Sequence, residues 1–232
     1  DELQQCGCDS ADRWMCRLSG VQKSIDGRTR MELRRLEEQE HQKTRKLWEE
    51  VFSDDTRAFL DYYYFIKTKE NEIWVIEEDG EIQSMLQLNP YQLQVAEHPF
   101  LCRYIIAVAT RAQYRSRGYM SSLLRKAMQE MYGKKEPFTF LMPAAEAIYT
   151  PYDFRFVYSQ RQAVFEKKAE TELIEEEDAT MFQAEELAAF AKERLFGTAR
   201  VYAVRDAHYY QTRVLEQQSE NGGIRMLKKD GD

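Results

Sequence analysis

Histidine and cysteine are scarce in this chain. Among 232 residues there are three histidines and four cysteines. Cys6, Cys8 and Cys16 cluster near the start, in a spacing that matches no standard zinc pattern and with no histidine nearby, so no metal site is expected. Cys102 opens an apolar stretch and reads as a core thiol. Thiols this few and this unevenly spread point to a reduced, cytoplasmic setting rather than a disulfide framework. Long apolar runs are missing too. None approaches the roughly 20 residues of a spanning helix, so no membrane partner is expected, and the start has no apolar signal core. Positive charge is in deficit: 33 Lys and Arg face 40 Asp and Glu, a formal net charge of −7. That balance argues against a nucleic-acid partner and mildly favours cationic ones by steering. What is present is ordinary globular material, 43 % apolar and 31 % charged, enough for one large domain or about one and a half ordinary ones.

The organising stretch runs from Tyr104 to Met128. Residues 104–109 form a short apolar, partly β-branched run, as a buried strand requires. Arg115-Ser116-Arg117-Gly118 reads as a tight basic turn. Beyond it Met120, Leu123, Leu124, Ala127, Met128 and Met131 recur at the spacing of one helix face. The first-turn N–H groups of such a helix point back into the turn and carry partial positive charge. A pyrophosphate would be held there by backbone donors at Tyr119, Met120 and Ser121, flanked by Arg115 and Arg117. Gly118 lets the backbone approach a ligand with no Cβ in the way.

Arg115-Ser116-Arg117-Gly118-Tyr119-Met120 resembles the acyl-CoA signature of the GNAT superfamily of N-acetyltransferases, Q/R-x-x-G-x-G/A, with Met120 in place of the final small residue. Residues 143–154, PAAEAIYTPYDF, resemble the P-A-x-x-x-I-Y-x-x-F-G-Y/F segment of the enhanced-intracellular-survival (Eis) branch, with Asp153 where glycine is usual. The resemblance covers about residues 31–228. It implies an α/β (α+β) GNAT fold, a mixed central sheet with helices on both faces. It also implies acetyl-CoA as co-substrate, its pantetheine arm lying in a gap between two splayed parallel strands. Val108, Ala109 and Thr110 would line one side of that gap and the backbone of Ala144 and Ala145 the other. Tyr149 would face the thioester sulfur as proton donor, and a backbone N–H near Val108 would stabilise the oxyanion. The implied acceptor is a primary amine on a small cationic molecule or a lysine. The residues leave the base that deprotonates this amine open between Glu97, His98 and a water relay. A competing reading is a non-catalytic acyl-CoA-binding or scaffold protein with the same fold.

Along the chain, residues 1–30 are expected to be a leader or linker outside the fold, 31–169 the acetyltransferase domain, and 170–232 a partial second GNAT-like domain. A strand at 31–36 and two helices at 37–52 and 56–67 come first, the second capped by Asp54-Asp55 and rich in aromatics that pack on the sheet or accept a cation. Strands follow at 72–77 and 81–95, joined at Asp79-Gly80 and with a bulge or break at Asn89-Pro90, then at 104–110 and 138–142. A strand at 162–167 is expected to close the first domain. Residues 170–178 read as an acidic linker, 178–195 and 201–216 as helices, and 224–227 as a strand. A half domain would leave a sheet edge uncovered, so homo-oligomer formation is possible.

Overall fold

The computed structural model describes residues 31–157 and 175–228. Cys6, Cys8, Cys16, the strand expected at 162–167 and the domain boundary expected at 170 lie outside them. A mixed sheet forms the centre, in the order β1 (Met31–Arg35), β2 (Glu72–Glu78), β3 (Glu81–Val95), β4 (His98–Thr110), β5 (Thr139–Phe140). The first four strands pair antiparallel; β5 runs parallel to β4, as the intervening helix requires. β2 is an interior strand, and Ile73, Trp74, Val75 and Ile76 are all buried because both faces are covered.

One face carries α1 (Arg45–Val51) and α2 (Arg57–Phe65), which bury Trp48, Leu60 and Tyr62 to Tyr64 against Val75, Met85 and Ala109. The aromatics of α2 are thus core residues, with Phe65 left exposed. Thr56, not the Asp54-Asp55 pair, caps α2 by accepting from the Phe59 N–H at 3.1 Å; Asp55 instead accepts from Trp48 Nε1 at 2.7 Å. The other face carries α3 (Tyr119–Gly133), whose Leu123, Leu124, Ala127 and Met131 pack on Trp74, Ile76, Leu86 and Ile105.

Neither a bulge nor a break occurs at Asn89-Pro90, where the register with β4 is continuous. β3 runs straight through, because pairing with β2 ends at Leu88 and pairing with β7 (Val201–Ala203) starts only at Leu93. Pro90 therefore sits where β3 has a neighbour on one side only, and its missing N–H costs no ladder bond. The irregularity lies in β4 instead. Register shifts between Met85↔Ala109 and Gln87↔Ile106, so β4 holds one extra residue there. Ala107 occupies this bulge with φ +52°.

The last part of the described chain departs most from expectation. Glu175–Asp178 is a strand, β6, rather than a linker. It pairs with β8 (Arg225–Lys228), and its carboxylates meet cations across the pair: Arg225 to Glu176 at 2.7 Å and Lys228 to Glu177 at 3.6 Å. α5 (Ala184–Leu195) falls within the predicted helix. Residues 201–216 are not one helix. Val201–Ala203 adds β7 to the central sheet, and α6 (Ala207–Ser219) begins after Asp206, which caps it by accepting from the Tyr209 N–H at 2.8 Å. α6 packs on α2, with Val214 buried and Leu215 against the α1–α2 core. No helix of the described residues is long and apolar enough to cross a membrane.

Candidate active site

β4 and β5 pair only at Arg103↔Thr139 and Tyr104↔Phe140. The joined end is fixed by charge: Arg103 bonds Glu136 at 3.1 Å and Glu72 at 3.2 Å, and Lys134 meets Glu72 at 2.7 Å. Beyond it β4 continues for six residues without a partner on that side. The direction of its backbone groups follows from one bond. The Arg111 N–H donates to Gln83 O of β3 at 3.0 Å, and the carbonyl of Ala109 accepts from Ser84 Oγ on the same side. Alternation then turns the N–H and C=O groups of Val108 and Thr110 away from β3, into the gap. The bulge sets this phase, because Ile106 and Ala107 are consecutive yet both face the α1–α2 core.

The turn ahead of α3 has the geometry the sequence predicts. Ser116 has φ +62° and Gly118 φ +81°, both left-handed, and Gly118 is the N-cap residue. A Cβ built on Gly118 would meet nothing within 4 Å. Ser122 N–H is the first to bond within the helix, to Gly118 O at 2.9 Å. The N–H groups of Tyr119, Met120 and Ser121 belong to the open first turn. Arg115 and Arg117 are exposed beside it. Arg115 Nε donates to the Thr110 carbonyl at 3.2 Å, and the Arg117 guanidinium lies 4.6 Å from the Tyr114 ring centre. Tyr119 turns its hydroxyl to Glu78 at 2.5 Å; Ser121 Oγ accepts from Arg125 Nε at 3.3 Å. Met120, the departure from the signature, packs inward against the α3 core and leaves the turn uncovered.

Across the gap the chain leaves β5 through Leu141 to α4 (Glu146–Tyr149), with Ala144 and Ala145 exposed before it. Tyr149 ends this short helix half-buried, its ring 5.8 Å from Phe154. Its hydroxyl has no hydrogen-bond partner among the described residues. Burial raises its pKa, and the nearby Tyr104 adds to the shift. Asp153 takes the left-handed conformation itself (φ +65°, ψ +17°), so the turn survives the loss of glycine.

A cavity of about 160 Å³ lies on the α1–α2 face, between β3 and α6. Tyr91 is its inner wall. That ring sits 5.9 Å from Tyr104 and 5.6 Å from Phe140, the last paired residues before the strands part. Sequence reasoning missed this cavity and the aromatic trio behind it, since five of its twelve lining residues come from α6, more than a hundred residues away. Glu97 and His98, the candidate bases, stand instead at the β3–β4 hairpin. His98 pairs with Val95, six residues or about 20 Å of strand from Tyr104.

Residues 32–157 match the model of the acetyltransferase (GNAT) domain family. The chain belongs to the GNAT acetyltransferases. A probable N-acyltransferase of Enterococcus faecalis superposes with a TM-score of 0.51 at 17 % identity, over 53 % of this chain and 32 % of that one. A GCN5-related N-acetyltransferase of Anabaena variabilis gives 0.46 at 20 % identity, over 53 % and 31 %. A predicted acetyltransferase of Clostridium acetobutylicum, solved with acetyl-CoA, gives 0.47 at 13 % identity, over 58 % and 96 %. The chain thus spans about a third of the Enterococcus and Anabaena proteins. A comparison with curated proteins finds no match.

Proposed function

We propose that this chain transfers an acetyl group from acetyl-CoA to a primary amine, carried by a small cationic molecule or a lysine. The observation that carries the reading is the partnerless stretch of β4 leading to the open first turn of α3. An extended amide-bearing arm suits the first, pairing with Val108 and Thr110 as an added strand would. A pyrophosphate suits the second, with three backbone donors and Arg115 and Arg117 on its flanks.

When bound, acetyl-CoA supplies an activated acyl thioester. The Val108 N–H, aimed into the gap, can stabilise negative charge developing on a carbonyl oxygen. Ala109 keeps its carbonyl tied to Ser84 and so fixes the strand's phase. The backbone of Ala144 and Ala145 borders the other side. Tyr149, with its raised pKa, stays protonated at neutral pH and can give its proton to a departing thiolate.

Calorimetric titration with acetyl-CoA tests the reading, using the chain and a Gly118→Glu variant. The added side chain has room to fold, at a left-handed strain of about 1–2 kcal/mol, while its carboxylate opposes the phosphates. Micromolar binding that weakens at least about tenfold in the variant is expected, since a carboxylate at the anion seat replaces attraction by repulsion. A folded chain that does not bind acetyl-CoA would overturn the proposal.

A further inference from the structure

Two guanidinium–tyrosine pairs flank the open first turn of α3. In one, Arg117 lies over the ring of Tyr114, which stacks on Tyr119 with ring centres 6.0 Å apart. The Tyr119 hydroxyl reaches Glu78, the last residue of β2. β3 and β4 stand between β2 and the gap, so this pair sits on the side of α3 away from it. The other pair is on the gap side. The Arg125 guanidinium lies 5.3 Å from the ring centre of Tyr152. Tyr152 ends the turn that follows α4, on the chain that leaves β5. Arg125 therefore links α3 to the segment on the far side of the gap.

Arg125 is also joined to the seat proposed for the pyrophosphate. Its Nε donates at 3.3 Å to the Oγ of Ser121, whose N–H is one of the three open donors. A helical side chain leans toward the start of its helix, so Arg125, one turn further on, brings its guanidinium back beside the seat. The Tyr152 face orients the guanidinium plane. Tyr152 itself packs on the α3-side core together with Tyr149, three residues earlier. Asp153, the carboxylate beside Tyr152, is met by Arg155 at 3.3 Å.

Acetyl-CoA carries a phosphate beyond its diphosphate, a monoester on the 3′ oxygen of the ribose, one sugar further along. A donor with its diphosphate at Tyr119 to Ser121 and its arm in the gap brings that monoester close to the same turn. Resting on the acetyl-CoA reading, we infer that Arg125, held on the Tyr152 ring, takes this 3′-phosphate and so selects coenzyme A thioesters over donors that lack it. A guanidinium suits the task because its planar fork of N–H groups matches two phosphate oxygens at once. The signature ends at Met120, before Arg125, so the resemblance read from the sequence does not assign this residue.

The test is calorimetric, with acetyl-CoA and acetyl-3′-dephospho-CoA as probes, on the chain, Arg125→Gln and Arg117→Gln. Arg125 is exposed, so its replacement leaves the fold in place, checked by the thermal midpoint. The chain is expected to bind acetyl-CoA at least about tenfold more tightly than the dephospho form, as a charge-assisted bond to phosphate requires. In Arg125→Gln the two affinities should fall within about twofold of each other. Arg117→Gln should weaken both donors and keep the preference, which separates a contact at Arg125 from a general loss of positive charge. No preference in the chain, a preference that survives in Arg125→Gln, or one lost equally in Arg117→Gln would each overturn the role of Arg125 and leave the acetyl-CoA reading standing. A folded chain that binds neither donor would overturn both.

Discussion

Tyr149 shows how the surroundings of one side chain set its protonation state. Half-burial against Phe154 and the nearness of Tyr104 keep its phenol protonated, and among the described residues no acceptor ties its hydroxyl down. A phenol in that state is a donor awaiting a base, not a structural bond. Tyr149→Phe should lower kcat about 10–100-fold while leaving acetyl-CoA affinity within about twofold, checked by steady-state rates and calorimetry. Equal affinity and equal rate would remove it from the chemistry. Other residues resolve toward structure. Cys102 is buried, its thiol pushed up to about 11, and stays an unreactive core group. Tyr63 lies inside a polar cluster: its hydroxyl donates to Gln87 and accepts from Asn71, at 3.2 and 3.1 Å.

Among the elements, β4 decides the most. Its bulge turns Val108 and Thr110 toward the gap, and the bulge depends on Ala107 holding φ +52°. Alanine tolerates that conformation at modest cost; a β-branched residue does not. Ala107→Val should destabilise the chain by about 2–3 kcal/mol, seen as a lowered midpoint in chemical denaturation, and should weaken acetyl-CoA binding through the shifted phase. Wild-type stability in that variant would mean the bulge is not held by residue 107. This element also marks where the sequence could be read and where it could not. The strand, the Gly118 turn and α3 were legible, because β-branched apolar residues, a glycine between arginines and a 3.6-residue stripe each carry a local signal. The bulge was not, since alanine has no preference that announces a left-handed backbone. Val201–Ala203 read as helix because three residues before a true helix cannot declare a strand; pairing with β3 decides it.

At the scale of the whole molecule, α6 and β7 tie the C-terminal residues to the sheet. Its stability should therefore respond as one unit to groups buried beneath. His41 is such a group. It is 5 % exposed and its Nδ1–H donates to the Thr68 carbonyl at 2.9 Å. Burial lowers its pKa below the usual value near 6.5. Below pH 6.5 the unfolded chain then binds a proton that the folded chain refuses, so stability falls as pH falls through that window. Glu40, held far below the carboxylate range by Arg34, keeps its contribution until much lower pH. Glu216, raised, gives a slope of opposite sign, so the comparison must be a difference. Between pH 7.5 and 5.5 the chain should lose more thermal stability than His41→Asn does. Parallel losses in the two would assign the slope elsewhere.

The two-pair seam between β4 and β5 has a consequence for how the chain keeps time with its ligand. A row of amides that faces an open gap trades hydrogen for deuterium quickly, while amides one residue away, locked to β3, do not. Along one strand the chain thus carries an alternating record of fast and slow sites. A ligand laid in the gap as a strand would slow Val108 and Thr110 and leave Ala109 and Arg111 as they were. Occupancy of the site is written, residue by residue, in the parity of β4.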